Sequence, residues 1–246
     1  MKKIFLIALL VAFAGGELSA NGPAAKKKKR RGAQTEGVRF GIRGGLNMAN
    51  MSIKDSDPGP KSLMSFHFGG VVEYMLSENL SFEAGLLYSG KGSKTEFYER
   101  VDMMGMYYEL SGDVKFAPSY LEIPINAVYK VPVGDNHLLI YGGPYLGFGI
   151  GGKSKGDLDI NTNIPGFDPA TLGIETSYDE SIKFGSSEED DLKGMDFGLN
   201  IGAGFEFSGI QVRAQYGLGL ANLSTYSEGD IKNKVIGISV AYMFGN

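Results

Sequence analysis

The last stretch of the chain, Asn233–Asn246, reads NKVIGISVAYMFGN, and its alternation decides the fold. Ile236, Ile238, Val240, Tyr242 and Phe244 fall on one face of a strand, and Gly237, Ser239, Ala241 and Met243 on the other. Period two is the strand signature. One face is wholly apolar and ends in two aromatics, while the other is small. The closing strand of a transmembrane β-barrel has this form, because one face meets lipid and the other a crowded lumen.

Seven earlier segments repeat the pattern. The first turns Val38, Phe40, Ile42 and Leu46 out and Arg39, Arg43 and Asn47 in. The second sets Phe66, Phe68, Val72, Tyr74 and Leu76 against His67, Val71, Glu73 and Met75. The third sets Leu80, Phe82, Ala84, Leu86 and Tyr88 against Ser81, Glu83, Leu87 and Ser89, and the fourth sets Leu121, Ile123, Ile125, Ala127 and Tyr129 against Glu122, Pro124, Asn126 and Lys130. The fifth, Leu138–Gly151, carries Pro144, which removes a ladder donor and predicts a bulge or weak pairing there. The sixth turns Phe197 to Phe207 out at odd positions, against Asp196, Asn200 and Glu206. The seventh sets Ile210, Val212, Ala214, Tyr216 and Leu218 against Gln211, Arg213 and Gln215.

The connections alternate between long and short. Met48–Met64, Gly92–Ser119 and Gly152–Gly194 are long, and Thr225–Lys232 is intermediate. Ser77–Asn79, Pro132–His137 and Ser208-Gly209 are short. Short periplasmic turns and long extracellular loops produce this order, and an even strand count puts both ends on the periplasmic side. The sequence therefore predicts an all-β fold, an eight-stranded antiparallel transmembrane β-barrel of the outer membrane, over residues 37–246. A soluble barrel would have to bury Arg39, Arg43, Glu73, Glu83, Glu122, Glu206 and Arg213 in its core, at high cost. Aromatics gather at both strand ends, as interfacial girdles do.

Composition agrees. Met1–Ala20 has Lys2 and Lys3, then an apolar run too short to span a bilayer, and reads as a signal peptide. Residues 21–36 read as a basic disordered tail around Lys26–Arg31, with contact to anionic lipid as the alternative. Cysteine is absent, which excludes disulfides and thiolate metal sites. The net charge of −4 argues against a nucleic-acid partner.

GVRFGIRGGLNMANMS (37–52), FHFGGVVEYMLSENLSFEAGLLYSGKGSK (66–94), YLEIPINAVYK (120–130) and ISVAYMF (238–244) together resemble the PorT-type family of outer-membrane β-barrel domains. The resemblance covers about Gly37 to Phe244 and implies an eight-stranded barrel. It implies no single activity and carries over no catalytic motif. The family's namesake is linked to protein secretion across the outer membrane, so the resemblance also raises a partner in a secretion or envelope machine.

Candidates for chemistry are few. His67 faces inward, but a catalytic base needs a nucleophile and an orienting acid, and no motif marks them. The lumen of a polar barrel explains it more simply. His137 falls in a short turn and reads as a surface residue. Asp157, Asp159 and Asn161 imitate the start of a calcium loop, but Thr162 stands where a glycine belongs and Asp168 where the closing Glu belongs. An acidic solvated loop over Gly152–Gly194 is the simpler reading. Gly147–Gly151 lies within a strand with no following helix, which excludes a phosphate loop.

The inward charges are the better candidate. A turn centred on Glu78 places Glu73 opposite Glu83, and like charges across strands repel. Arg39 and Arg43 lie on the neighbouring strand, and Ser208-Gly209 sets Glu206 diagonal to Arg213. These six residues predict a charge-paired plug in the periplasmic half of the lumen. The function predicted is that of a structural or surface-interaction barrel, monomeric in outer-membrane lipid, with no catalytic activity and no cofactor. The alternatives are a narrow pore or transporter, an accessory secretion component, and a lipid-modifying enzyme.

Overall fold

The computed structural model describes residues 37–245, apart from 55, 57, 58, 104, 170, 172 and 173. The signal and basic-tail readings fall on residues 1–36, outside the described residues. Ten strands are present among those described: β1 Gly37–Ile53, β2 Lys61–Met75, β3 Leu80–Gly90, β4 Ser93–Met103, β5 Met106–Val133, β6 Asn136–Thr162, β7 Ser177–Ser181, β8 Met195–Phe207, β9 Ile210–Gly219 and β10 Ile231–Phe244.

Eight of them form a closed antiparallel ring in the order β1-β2-β3-β5-β6-β8-β9-β10. The ring closes where β10 returns to β1, with Phe40 opposite Phe244 and Ile53 opposite Ile231. Closure leaves no open sheet edge at membrane depth, which a bilayer requires. The alternation sets the two surfaces. On β10, Ile238 is 62% exposed and Ala241 1% exposed. The sheet is thus turned outward on its apolar side and inward on its polar and small side.

The short-turn end is tight. Ser208 and Gly209 both have positive φ, 48° and 80°, as a type I′ hairpin turn requires. Gly134, at φ 62°, opens the two-residue turn between β5 and β6. Two belts of exposed aromatics ring the barrel. Tyr74, Phe82, Tyr129, Phe205, Tyr242 and Phe244 mark the short-turn side, and Phe66, Phe68, Phe148 and Phe197 the other, with half-buried Tyr88 stacked on Phe66. At ~3.3 Å per residue and a tilt of ~40°, Phe66 and Tyr74 stand roughly 20 Å apart along the axis, close to the height of an outer-membrane apolar band.

The connections differ from the sequence reading. The expected loop Met48–Met64 shrinks to 54–60, because β1 and β2 both run on. The expected loop Gly92–Ser119 is the β4–β5 hairpin, and the expected loop Gly152–Gly194 begins with eleven residues of β6 and contains β7. The physical reason is that these extensions stand in water, where neither face must be purely apolar. The lipid pattern fades while the pairing continues. His137 is likewise the second residue of β6, opposite Glu206, rather than a turn residue. At Pro144 the β5–β6 ladder skips the steps opposite Ile125 and Asn126 without changing register. The register shift itself lies higher, at Ser119/Tyr120.

Candidate functional site: the lumen

The lumen is filled in layers. Nearest the short turns, Arg39 donates to Glu73 Oε2 at 2.5 Å and to Glu206 Oε1 at 2.6 Å. Lys130 Nζ lies 2.6 Å from Glu73 Oε1 and 3.4 Å from Glu206 Oε2. Ser81 donates to Glu73, and Gln211 donates to Glu206 at 2.8 Å. One layer deeper, both guanidinium groups of Arg43 and Arg213 grip Glu83. Each gives one nitrogen to Oε1 at 3.0 Å and one to Oε2 at 2.7 Å. Arg213 also donates to Gln211 and lies over the Tyr141 ring, 4.6 Å from its centroid.

Glu73 and Glu83 do stand directly opposite one another. Their repulsion is relieved because each turns to a different set of cations. All six residues singled out from the sequence thus belong to ion pairs inside the lumen. Lys130, which sequence reasoning placed inward but left out of the cluster, joins its two outer carboxylates.

A second network lies toward the long loops. Lys91 reaches Glu122 at 2.7 Å and Asp196 at 3.0 Å, and lies over the Tyr145 ring at 4.2 Å. Asn233 donates to Asp196 at 2.9 Å, and Tyr145 donates to it at 3.3 Å. Sequence reasoning missed this network. The signal was available: Lys91 keeps the inward parity of Ser89, although it falls just past the apolar pattern. Together the two networks set Arg39, Arg43, Lys91, Lys130 and Arg213 against Glu73, Glu83, Glu122, Asp196 and Glu206, so the named charges balance.

Between the networks, His67 Nδ1 lies 2.7 Å from Asn47 Oδ1, and Asn47 Nδ2 donates to Gly90 O at 2.9 Å. The partner of His67 is an amide, not a nucleophile or an acid. A cavity of about 10 Å³ remains among Asn47, Ser89, Lys91, Glu122 and Tyr145, room for about one water. Above the upper network, Met51, Leu192, Ala221 and Leu223 form an apolar cluster with Phe116, Phe184 and Ile231 against it. Phe184 meets the Tyr120 ring edge-on at 5.6 Å. Residues of the long connections thus close the mouth.

Asp157, Asp159 and Asn161 belong to β6, not to a loop. Along a strand Asp157 and Asn161 stand roughly 13 Å apart, so the three cannot converge on one ion as the first positions of a calcium loop do. No group of three or more His, Cys, Asp or Glu able to hold a metal occurs among the described residues.

A closed ring with a lipid-ready exterior and a polar, paired interior defines a transmembrane β-barrel. The chain belongs to the family of the outer membrane protein beta-barrel domain, whose model matches residues 29–225, and it is accordingly a protein of the outer membrane. No curated protein matches the sequence. Among solved structures, the chain is similar to Ail, the attachment invasion locus protein of Yersinia pestis, at 15% identity, covering 84% of this chain and 98% of that one with a TM-score of 0.38. It is also similar to Neisserial surface protein A, at 14% identity, covering 87% and 100% with a TM-score of 0.35. The outer membrane protein OprG of Pseudomonas aeruginosa is similar at 13% identity, covering 86% and 98% with a TM-score of 0.31.

Proposed function

We propose that the protein is a closed, monomeric outer-membrane barrel of structural or surface-interaction type, which holds an ordered β-sheet above the membrane. The observation that carries this reading is the filled lumen: Glu83 is 1% exposed between two arginines, and an apolar cluster covers the mouth. Eight strands leave an interior that side chains can just fill. A buried salt-bridge network in such a lumen supports a plug rather than a path for solute. His67, bonded to an amide, supports a lumen residue rather than a catalyst, so we propose no enzymatic role. A signal peptide at 1–20 and a basic tail at 21–36 complete the proposed organisation. Single-channel recording in planar bilayers tests the reading. Insertion without steady conductance is expected, and large, stable open steps from the wild-type protein would refute the plug and favour a narrow pore.

The PorT-type resemblance supports a second reading, an accessory part of a secretion or envelope machine. The protruding sheet carries Tyr98 at 60% and Val101 at 53% exposure, which is surface available to a protein partner. Photo-crosslinking from position 98 in intact outer membranes tests it. An envelope or secretion protein in the adduct would support this reading, and adducts with lipid alone would count against it.

A further inference from the structure

We propose that the outer wall of the protruding sheet binds the phosphate of an anionic lipid headgroup in the outer leaflet, through a row of lysines just above the membrane. The proposal rests on the orientation given above, with the long connections outside the cell.

The row is built by strand register. Lys61 stands opposite Lys94, Lys94 opposite Lys115, and Lys115 opposite Lys155, so four lysines lie side by side across β2, β4, β5 and β6. Lys153 follows one step nearer the membrane. The neighbouring residue Phe116 packs against the cluster over the lumen, which turns Lys115 to the outside. Like charges directly opposite are destabilising unless a counter-charge compensates them.

Compensation within the protein is one-sided. The next row up, away from the membrane, is acidic, with Glu96 opposite Asp113 and Asp113 opposite Asp157. Lys94 reaches up to Glu96 at 2.9 Å, Lys115 to Asp113 at 3.2 Å, and Lys61 also pairs with Glu96. Lys153 and Lys155 share Asp179, at 2.9 and 2.8 Å. Five lysines therefore share three carboxylates, all on the side of the row away from the membrane or beside it. Among the described residues, none of the carboxylates paired with these lysines lies on the membrane side of the row. Between the lysines and the aromatic belt, Gly90 stands opposite Ser119 and Ser119 opposite Gly151, with Ile150 exposed beside them.

The height fits a headgroup. Counting along β5 and β6 from Leu121 and Phe148, the backbones of Lys115, Lys153 and Lys155 stand roughly 13–18 Å above the aromatic belt at ~3.3 Å per residue and ~40° tilt. Lysine stems at a membrane boundary lay their methylenes on the wall and carry the ammonium to the polar layer. A phosphate there would complete the positive row from below, as Glu96, Asp113 and Asp179 do from above. The basic row below and the acidic row above also orient the sheet on an anionic surface, with attraction near it and repulsion farther out.

The test uses the full folded protein in neutral bilayers containing spin-labelled phosphatidic acid or spin-labelled phosphatidylcholine. The fraction of each label immobilised by the barrel is compared, and each sample is checked for folding by its heat-dependent gel shift. An anionic lipid is favoured about fivefold per engaged lysine near such a surface, so a preference of about fivefold or more is expected for the phosphomonoester. The variant K94Q/K115Q/K153Q/K155Q should bring the ratio close to one. The single variant D179N, which releases Lys153 and Lys155, should raise it, and it keeps the test alive if the quadruple variant does not fold. Equal immobilisation of both lipids by inserted wild-type protein would overturn the site alone. An unchanged ratio in the quadruple variant would do the same, as would loss of the preference to millimolar inorganic phosphate, which would assign the lysines to a soluble anion. Failure of the wild-type protein to insert would instead refute the barrel reading beneath it.

Discussion

Glu83→Gln is the most informative single change. Glu83 accepts four hydrogen bonds from Arg43 and Arg213, and all three side chains are at most 3% exposed. The substitution keeps the shape but removes the negative charge. Two buried guanidinium groups are then left facing each other across a neutral amide. Breaking one side of a buried ion pair costs about 3–5 kcal/mol, because the surviving charge stays desolvated. Here two charges survive, and no other carboxylate bonds either of them, although Gln211 still holds Arg213. The upper half of that range is expected. The assay is urea unfolding in lipid vesicles, read by gel shift and circular dichroism. With a urea slope of about 1–3 kcal/mol/M, the midpoint should fall by about 1 M or more. Arg213→Met in the Glu83→Gln background should cost less than Arg213→Met alone, with a coupling of about 1–3 kcal/mol. An unchanged midpoint for Glu83→Gln, or strictly additive effects in the cycle, would refute the plug as a stabilising element.

Three further outcomes follow from the same geometry. A Cβ at Gly143 would lie 1.9 Å from the Ile125 carbonyl oxygen, so Gly143→Ala should prevent close β5–β6 approach beside Pro144 and reduce the yield of the heat-modifiable folded form. Leu223→Ala removes a fully buried member of the cap and should cost the cap about 2–5 kcal/mol, seen as faster proteolysis and amide exchange over residues 182–194 while the barrel's gel shift is unchanged. Hydrogen bonds from Lys61 and Lys94 hold the Glu96 carboxyl down at about 2, below its ordinary 4.5. Because the folded value is the lower one, its contribution is complete above pH 4.5 and is lost as pH falls toward 2. Amide protection of the β4–β5 hairpin should decline across that window, and the decline around Lys61 and Lys94 should be smaller in Glu96→Gln, while Asp102, held down by Arg100, keeps its own share.

The ring was legible in the sequence because lipid imposes a strict rule on each strand. Val38 to Phe244 alternate apolar and polar wherever one face meets hydrocarbon, and a one-residue slip would put Arg39 or Glu73 into the bilayer. That rule gave the number of spanning strands, their order, the facing of Glu73 on Glu83, and the membership of Arg39, Arg43, Glu206 and Arg213 in one lumen. It stops where the lipid stops. β4, β7 and the upper halves of β5 and β6 stand in water, so their sequences carry no comparable pattern. They are strands because their neighbours supply register. The partners inside the lumen were also beyond the sequence. Alternation says that Lys130 and Lys91 point inward. Only the closed ring brings Lys130 between Glu73 and Glu206, 57 and 76 positions away, and Lys91 onto Asp196. Closure decides these contacts because strands far apart in the chain face one another across a lumen only a few side chains wide.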